Sequence, residues 1–467
     1  MLLLTDGTVF CHEFESKNWY RLIPDSAGDY DTAGAQWKPA APLPDNPIIP
    51  ANKGGPTNAP LYFASAVLRD GSVFVAGGEY NSGIADADLL AVQVYDPFHD
   101  KWTTFSPPTG WSAIGDAPCC VLADGRVLLG SIRDTATALF DPHAGFSAGP
   151  SKSDSSSEES FVLLPDGSVL AVQCTNLPNA EKLLPGTGWV SAGATPVTLP
   201  EACPGLVAEI GASVLLANGS VFAIGASGNT ALYTPQADPA APGTWAPGPV
   251  LRDASGATMF PMDAPAVLLP NSKVLLVGSP APPCSYPPPS TFFEYDPATN
   301  TVVPIASPPM APPTPERPHG DSCFLLRFLL LPTGKVLLSD DLNFIAVYTP
   351  DGAPQQSWQP TITKCPTNLT RGATYTLEGR QINGLSQAVF YGDDATMATN
   401  YPLVRLRNQA TGNAWYCPTS GHSTMGVATG GALHTTNFAV PQAVETGSAE
   451  LVVIANGIAS APLAVCV

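Results

Sequence analysis

The sequence predicts an all-β protein, a seven-bladed β-propeller followed by an immunoglobulin-like β-sandwich. Three observations carry that expectation: one hairpin phrase recurs seven times, a strand-and-turn phrase follows most of its copies, and both cease after Trp358.

The hairpin phrase is an apolar strand, a tight turn and a second apolar strand. It runs LLLTDGTVF from Leu2, SAVLRDGSVFVAGG from Ser65, CCVLADGRVLLG from Cys119 and SFVLLPDGSVLAV from Ser160. It continues as ASVLLANGSVFAIG from Ala212, PAVLLPNSKVLLVG from Pro265 and FLLLPTGKVLLSD from Phe328. Asp-Gly and Asn-Gly tolerate the positive φ angles that a two-residue hairpin turn requires. The leading turn residues Asp6, Asp70, Asp124, Asp166, Asn218, Asn271 and Thr333 are spaced by 64, 54, 42, 52, 53 and 62 residues. A period of about 55 suits a four-stranded, kelch-type blade better than the shorter WD40 unit.

Third strands are marked by VYDP at Val94, LFDP at Leu139, LYTP at Leu232, EYDP at Glu294 and VYTP at Val347. An aromatic then follows: Trp37, Trp102, Phe146, Trp189, Trp245 and Trp358 in successive units, the sixth unit having none. These rings are expected to pack between neighbouring blades. The first unit lacks the opening half of its inner strand, which predicts that residues are missing ahead of it. The propeller is expected over residues 1–360 and the sandwich over 361–467. In the latter, short strands such as ATYTLEG at Ala373, AVFYG at Ala388, LVRLRN at Leu403, TTNFAVP at Thr435 and AELVVIANG at Ala449 replace the repeat. Cys365 and Cys466 bracket this segment and are a candidate staple, with the pairing left open. Residues 279–290 and 307–318 are Pro-rich and predict polyproline II surface loops, and 152–159 predicts a solvated polar linker.

Composition narrows the function. Only 13% of the 467 residues are charged, and the formal net charge is −19. An acidic surface repels phosphate backbones and anionic lipid, which argues against nucleic acid and membrane surfaces as partners. No apolar run approaches the ~18 residues of a membrane span, and the longest, at 324–331, is broken by Arg327. Ten cysteines without metal-type spacing favour disulfides over zinc. With the sequons at Asn218 and Asn368 they point to an extracellular, secreted glycoprotein.

Candidate site residues come from the inner strands. Counting back eight from each turn residue reaches the end of the strand opposite the turn, where the blades converge on the mouth of the channel. The slot holds Tyr62, Asp116, Glu158, Ile210, Asp263 and Leu325, with Glu159 beside Glu158 and Glu209 beside Ile210. Converging carboxylates imply raised pKa values, a bound cation or a polar ligand. The plain alternative is that each caps backbone amides of its own blade.

Seven such blades followed by a sandwich resemble the galactose oxidase and glyoxal oxidase family over nearly the whole chain, Leu2 to Val467. TSGHSTMGVATG from Thr419 resembles the loop by which that family's last domain sends a His into the channel, here His422. The resemblance implies copper held by two Tyr and two His, with a Tyr–Cys cross-link carrying a radical. The matching slots hold Asp116 for the Cys, Glu158 for the cross-linked Tyr and Phe324-Leu325 for the Tyr-His pair. Copper is therefore not expected and no cofactor is predicted. A hard cation such as Ca²⁺ at Asp116, Glu158 and Asp263 would suit the oxygen donors better.

These readings lead to an extracellular propeller that binds a glycan or a cell-wall or matrix protein, without enzymatic copper chemistry. The alternative is a carbohydrate-active hydrolase or lyase using Asp116, Glu158 or Glu159, Glu209 and Asp263. A copper-radical oxidase is the third reading.

Overall fold

The computed structural model describes residues 1–467 except 157–158, 203–207, 281–286, 307–321, 343 and 391–398. Glu158, His319, half of the first Pro-rich stretch and all of the second thus lie outside the described residues. The chain is all-β, with only 3-10 turns among its described helical segments.

Seven antiparallel sheets follow one another; the first five carry four strands each as an up-and-down meander, and the sixth adds two short strands, Met259–Phe260 and Val389–Phe390, to its four. Their innermost strands are Leu2–Leu3, Ala64–Val67, Cys119–Val121, Phe161–Leu163, Ser213–Leu215, Ala266–Leu268 and Arg327–Leu330. Each touches the next, and Arg327–Leu330 touches Leu2–Leu3, so the seven strands close a ring. The two-residue opening strand is enough to bridge both neighbours. Every hairpin phrase forms the predicted pair, for example Val73 opposite Val67 and Val127 opposite Val121.

The two sequence phrases meet between sheets. Phe10, from a hairpin phrase, stacks on Tyr95 of the next sheet's YDP phrase, with ring centroids 4.5 Å apart. Phe222 stacks on Tyr295 at 3.8 Å in the same way. Offset aromatic pairs of this kind add about 0.5–1.5 kcal/mol beyond burial, and repetition around the ring ties sheet to sheet. The outer Trp residues add a polar tie: Trp102, Trp189 and Trp245 donate their indole N–H to the carbonyls of Ala41, Pro150 and Ala192 of the preceding unit, at 2.8, 3.1 and 2.9 Å.

Three expectations need correction. Trp358 sits in a 3-10 turn, Gln356–Trp358, because Pro350, Gly352 and Pro354 turn the chain away; the seventh sheet has three strands among the described residues. The stretch expected to be a solvated linker is not one in its described part, since Lys152, Ser156 and Glu159 are all buried against the fourth sheet. The eight described cysteines are free thiols. Cys365 packs against the apolar core of the C-terminal sheets while Cys466 faces solvent, so no staple joins them.

Beyond Thr361 two antiparallel sheets face each other over Leu377, Val404, Leu406, Phe438, Leu451 and Val453. This segment docks firmly on the ring. The Tyr416 ring lies over the first hairpin turn, where a Cβ on Gly7 (φ +77°) would meet it at 2.3 Å. Val389–Phe390 pairs with Ala266 and Val267 of the sixth inner strand. Just before it, the Gln387 amide accepts from the Leu163 N–H at 3.3 Å and lies against the Cys120 thiol, which inserts this segment into the ring.

Candidate functional site

At the end of the ring opposite the hairpin turns, two of the slots are neighbours by a backbone hydrogen bond. The Asp263 amide donates to the Ile210 carbonyl at 3.1 Å, placing the slots of the fifth and sixth sheets side by side. Tyr62 and Asp263 both adopt left-handed backbone angles, φ 53° and 50°, where their strands begin. Asp116, Tyr62 and Asp263 are half-buried, and of the three Tyr62 lines the cavity described below.

Tyr62 is held between two partners. The Tyr80 ring meets it edge-on at 5.4 Å, and the Arg327 guanidinium lies 6.0 Å from its ring centre. Arg327 is aimed by donating to the Phe324 and Leu326 carbonyls at 2.7 and 2.8 Å, across the 3-10 turn Cys323–Leu325. A cation over an aromatic face is worth about 0.5–2 kcal/mol. Arg327 was visible in the sequence only as the charge that interrupts an apolar run; that interruption was the signal. A cavity of about 400 Å³ opens beside these residues, between the first and seventh sheets.

The remaining acids do not join them. Glu159 is sealed inside the fourth sheet, hydrogen-bonded to Lys152, whose ammonium also lies 3.7 Å from Glu181 and 5.3 and 5.4 Å from the Phe161 and Trp189 rings. Burial pushes the Glu159 carboxyl up to about 8, with Lys152 pulling the other way. Glu209 is 8% exposed, on a short ribbon opposite Glu201. The Lys152 contact for Glu159 and strand pairing for Glu209, rather than the slot count, hold these two residues.

His422 lies elsewhere again. Its loop crosses the hairpin turns: Gly421 donates to the Arg69 carbonyl at 2.9 Å and Met425 to that of Ala123 at 3.0 Å. An eight-residue strand separates that end from the mouth by roughly 25 Å. The imidazole is fully buried, its Nδ1 2.9 Å from Thr436 Oγ1, and burial holds it down near 3, hence neutral. The segment inserted in the ring is the one around Gln387, not the His422 loop. Among the described residues, no three of His, Cys, Asp and Glu come together as a metal site.

No family model matches the chain, and no curated protein matches it in sequence. Solved structures do. The chain is similar in fold to a copper alcohol oxidase. That structure, a fungal alcohol oxidase of the AA5 family in complex with copper, aligns over 100% of this chain and 96% of its own, with a TM-score of 0.53 and 13% identity. Virginiamycin B lyase of Staphylococcus aureus aligns over 62% of this chain and 84% of its own, at a TM-score of 0.39 and 11% identity, and carries no inference. The alcohol oxidase match supports the all-β, galactose oxidase-like architecture. No described helix is long and apolar enough to cross a membrane.

Proposed function

We propose that the protein is an extracellular binding propeller, built on the fold of the copper oxidases without their copper–radical centre, whose mouth takes a glycan of the surrounding matrix. One observation carries the reading: the residues standing at the mouth slots. Where the resemblance places Cys, Tyr and a Tyr-His pair, this chain has Asp116, Glu158 and Phe324-Leu325. Carboxylate and hydrocarbon replace thiol, phenol and imidazole, a donor set that does not fit Cu(II) of the N,O type or a tyrosyl radical. His422 is engaged by Thr436 at the other end of the ring.

What the mouth does present suits a sugar. The Tyr62 ring offers a face for pyranose C–H groups, while the carboxylates of Asp116 and Asp263 can accept hydroxyl protons and Arg327 can donate. Asn218 and Asn368 are both exposed, as glycosylated sequons of a secreted protein must be. The test is a glycan array on the purified protein, run beside copper analysis and a peroxide assay with galactose and aldehydes after Cu(II) treatment. The expected result is glycan binding that Tyr62→Ala weakens about tenfold, the upper end for one aromatic contact, with neither stoichiometric copper nor peroxide. One tightly held copper per chain with peroxide production overturns the reading.

A further inference from the structure

The aromatic packing that ties sheet to sheet fails at an interior junction, between the third and fourth sheets. In each hairpin phrase the Val after the turn pairs with a third-strand residue. That residue is Tyr95, Phe140, Tyr233, Tyr295 or Tyr348 in five sheets, but Leu22 in the first and Leu183 in the fourth. Between the second and third sheets, Phe74 meets Phe140 at 4.8 Å and Phe105 meets it edge-on at 5.1 Å. One sheet further round, the same three places hold Leu128, Leu183 and Gly149, the last counted three past Phe146 as Phe105 is past Trp102. A Cβ at Gly149 would meet Thr137 Oγ1 at 2.3 Å, so that wall carries no side chain.

The space left is a groove of about 580 Å³ on the hairpin-turn side, walled by Leu122, Leu139, Gly149 and Leu183. Leu122 and Leu139 are only half-buried. The corresponding groove of the next junction, between Leu164-Pro165 and Thr234-Pro235, holds about 220 Å³. There Tyr233 stands where the fourth sheet has Leu183, and its hydroxyl donates to the Pro242 carbonyl at 3.1 Å. Tyr95 likewise donates to Asp100 at 2.6 Å, within the turn that follows its strand. In the fourth sheet both the phenol and most of that turn are missing, since only residues 185–187 link its last two strands. The charged residues lining the groove are Asp124 and Arg126, which bond each other at 2.6 and 2.9 Å and so leave it neutral. Their side chains are 50% and 41% exposed.

We propose that this groove binds a small neutral phenol, its ring against Leu122, Leu139 and Leu183 and its hydroxyl at the Asp124–Arg126 pair. A ring is what the neighbouring junctions put in this place, and a hydroxyl bonded at the rim is how Tyr95 and Tyr233 complete theirs. The carboxylate accepts the hydroxyl proton and the guanidinium can donate to the same oxygen. A charged ligand would set one member of that pair against it. The volume is that of a whole small ligand rather than of one side chain. This inference does not rest on the glycan reading, which concerns the other end of the ring.

The experiment titrates 4-methylphenol into the full chain carrying labelled leucine methyls and follows the protein by NMR. Expected is saturable binding with a Kd of about 1 mM or tighter, an ordinary efficiency for so small a ligand. Contacts from the probe should reach the Leu122, Leu139 and Leu183 methyls. Leu183→Phe, which restores the ring from within, should weaken binding at least tenfold without loss of stability. Ala148→Trp, at an exposed position of the groove wall, should do the same without touching the core. Cyclohexanol, puckered where the phenol is flat, should bind at least tenfold more weakly. The proposal is overturned if 4-methylphenol does not saturate, if its contacts lie elsewhere, or if either folded variant binds it as the native chain does. Equal binding of cyclohexanol also overturns it. So does tighter binding of N-acetyltyrosinamide, which would make the occupant a side chain of a partner protein.

Discussion

Replacing Lys152 by Met would leave two carboxylates in the fourth sheet without their cation. Lys152 and Glu159 side chains are wholly buried, and that of Glu181 is 5% exposed. Glu181 keeps its hold on the Ser153 amide and hydroxyl, both at 3.0 Å, and on the Gln173 amide at 2.9 Å. Glu159 loses its partner, and its Oε1 has no hydrogen bond among the described residues even in the native chain. Breaking a buried pair by removing one member costs about 3–5 kcal/mol. The cost must depend on pH, because the Glu159 carboxyl is raised by burial from an ordinary 4.5 to about 8. The folded state therefore holds a proton that the unfolded state releases, so this group's stabilising contribution is complete below pH 4.5 and lost as pH rises through about 8. In Lys152→Met the destabilisation should be largest at pH 9 and much smaller at pH 5, where the carboxyl is neutral in the fold. Glu159→Gln added to Lys152→Met should restore most of the loss at pH 9. Urea unfolding followed by tryptophan fluorescence, with Trp189 beside the site, measures each case. A single mutant as stable as the native chain at pH 9, or a destabilisation relative to the native chain that grows as pH falls, refutes the reasoning.

Other changes should separate packing from chemistry. Gly7→Ala forces a side chain into a left-handed backbone position and against the Tyr416 ring, and should cost about 2–4 kcal/mol by chemical denaturation. Gln387→Ala removes the side-chain acceptor for the Leu163 N–H, so amide exchange at Leu163 should accelerate at least tenfold while the outer strands keep their rates. His422 should show no titration by NMR from pH 4 to 9, because burial keeps it neutral; a midpoint near 6 would contradict the placement. Its depressed folded value also means that stability falls as pH drops below about 6.5, where the unfolded imidazole takes a proton. Among the described cysteines, alkylation of the native protein should reach Cys466 first, and Cys119, Cys120 and Cys323 only after unfolding, since these three are buried.

Local rules reached far into this fold. An Asp-Gly or Asn-Gly turn between apolar strands needs no distant partner to form a hairpin, so seven copies located the inner pair of every sheet. The aromatic phrases were equally legible, because Phe10 and Tyr95 repeat at positions that a ring must bring together. The candidate site was legible only in part. The slot count grouped Asp116, Tyr62 and Asp263 and treated Glu159 as their equal. Whether that carboxylate faced the channel or Lys152 depended on a contact within the fourth sheet that spacing does not encode. His422 followed a resemblance of its loop, and the hydrogen bonds to Arg69 and Ala123 hold that loop at the other end.

By itself, then, the sequence determined the strands, their turns, the order of the sheets and the chemistry available at the mouth, since these follow from side-chain alternation and from residues that permit positive φ. Tertiary structure alone decided which charges are sealed and which loop enters the ring. Those outcomes turn on which surfaces exclude water and which backbone groups find partners across the ring, and both are set by contacts between residues far apart in the chain.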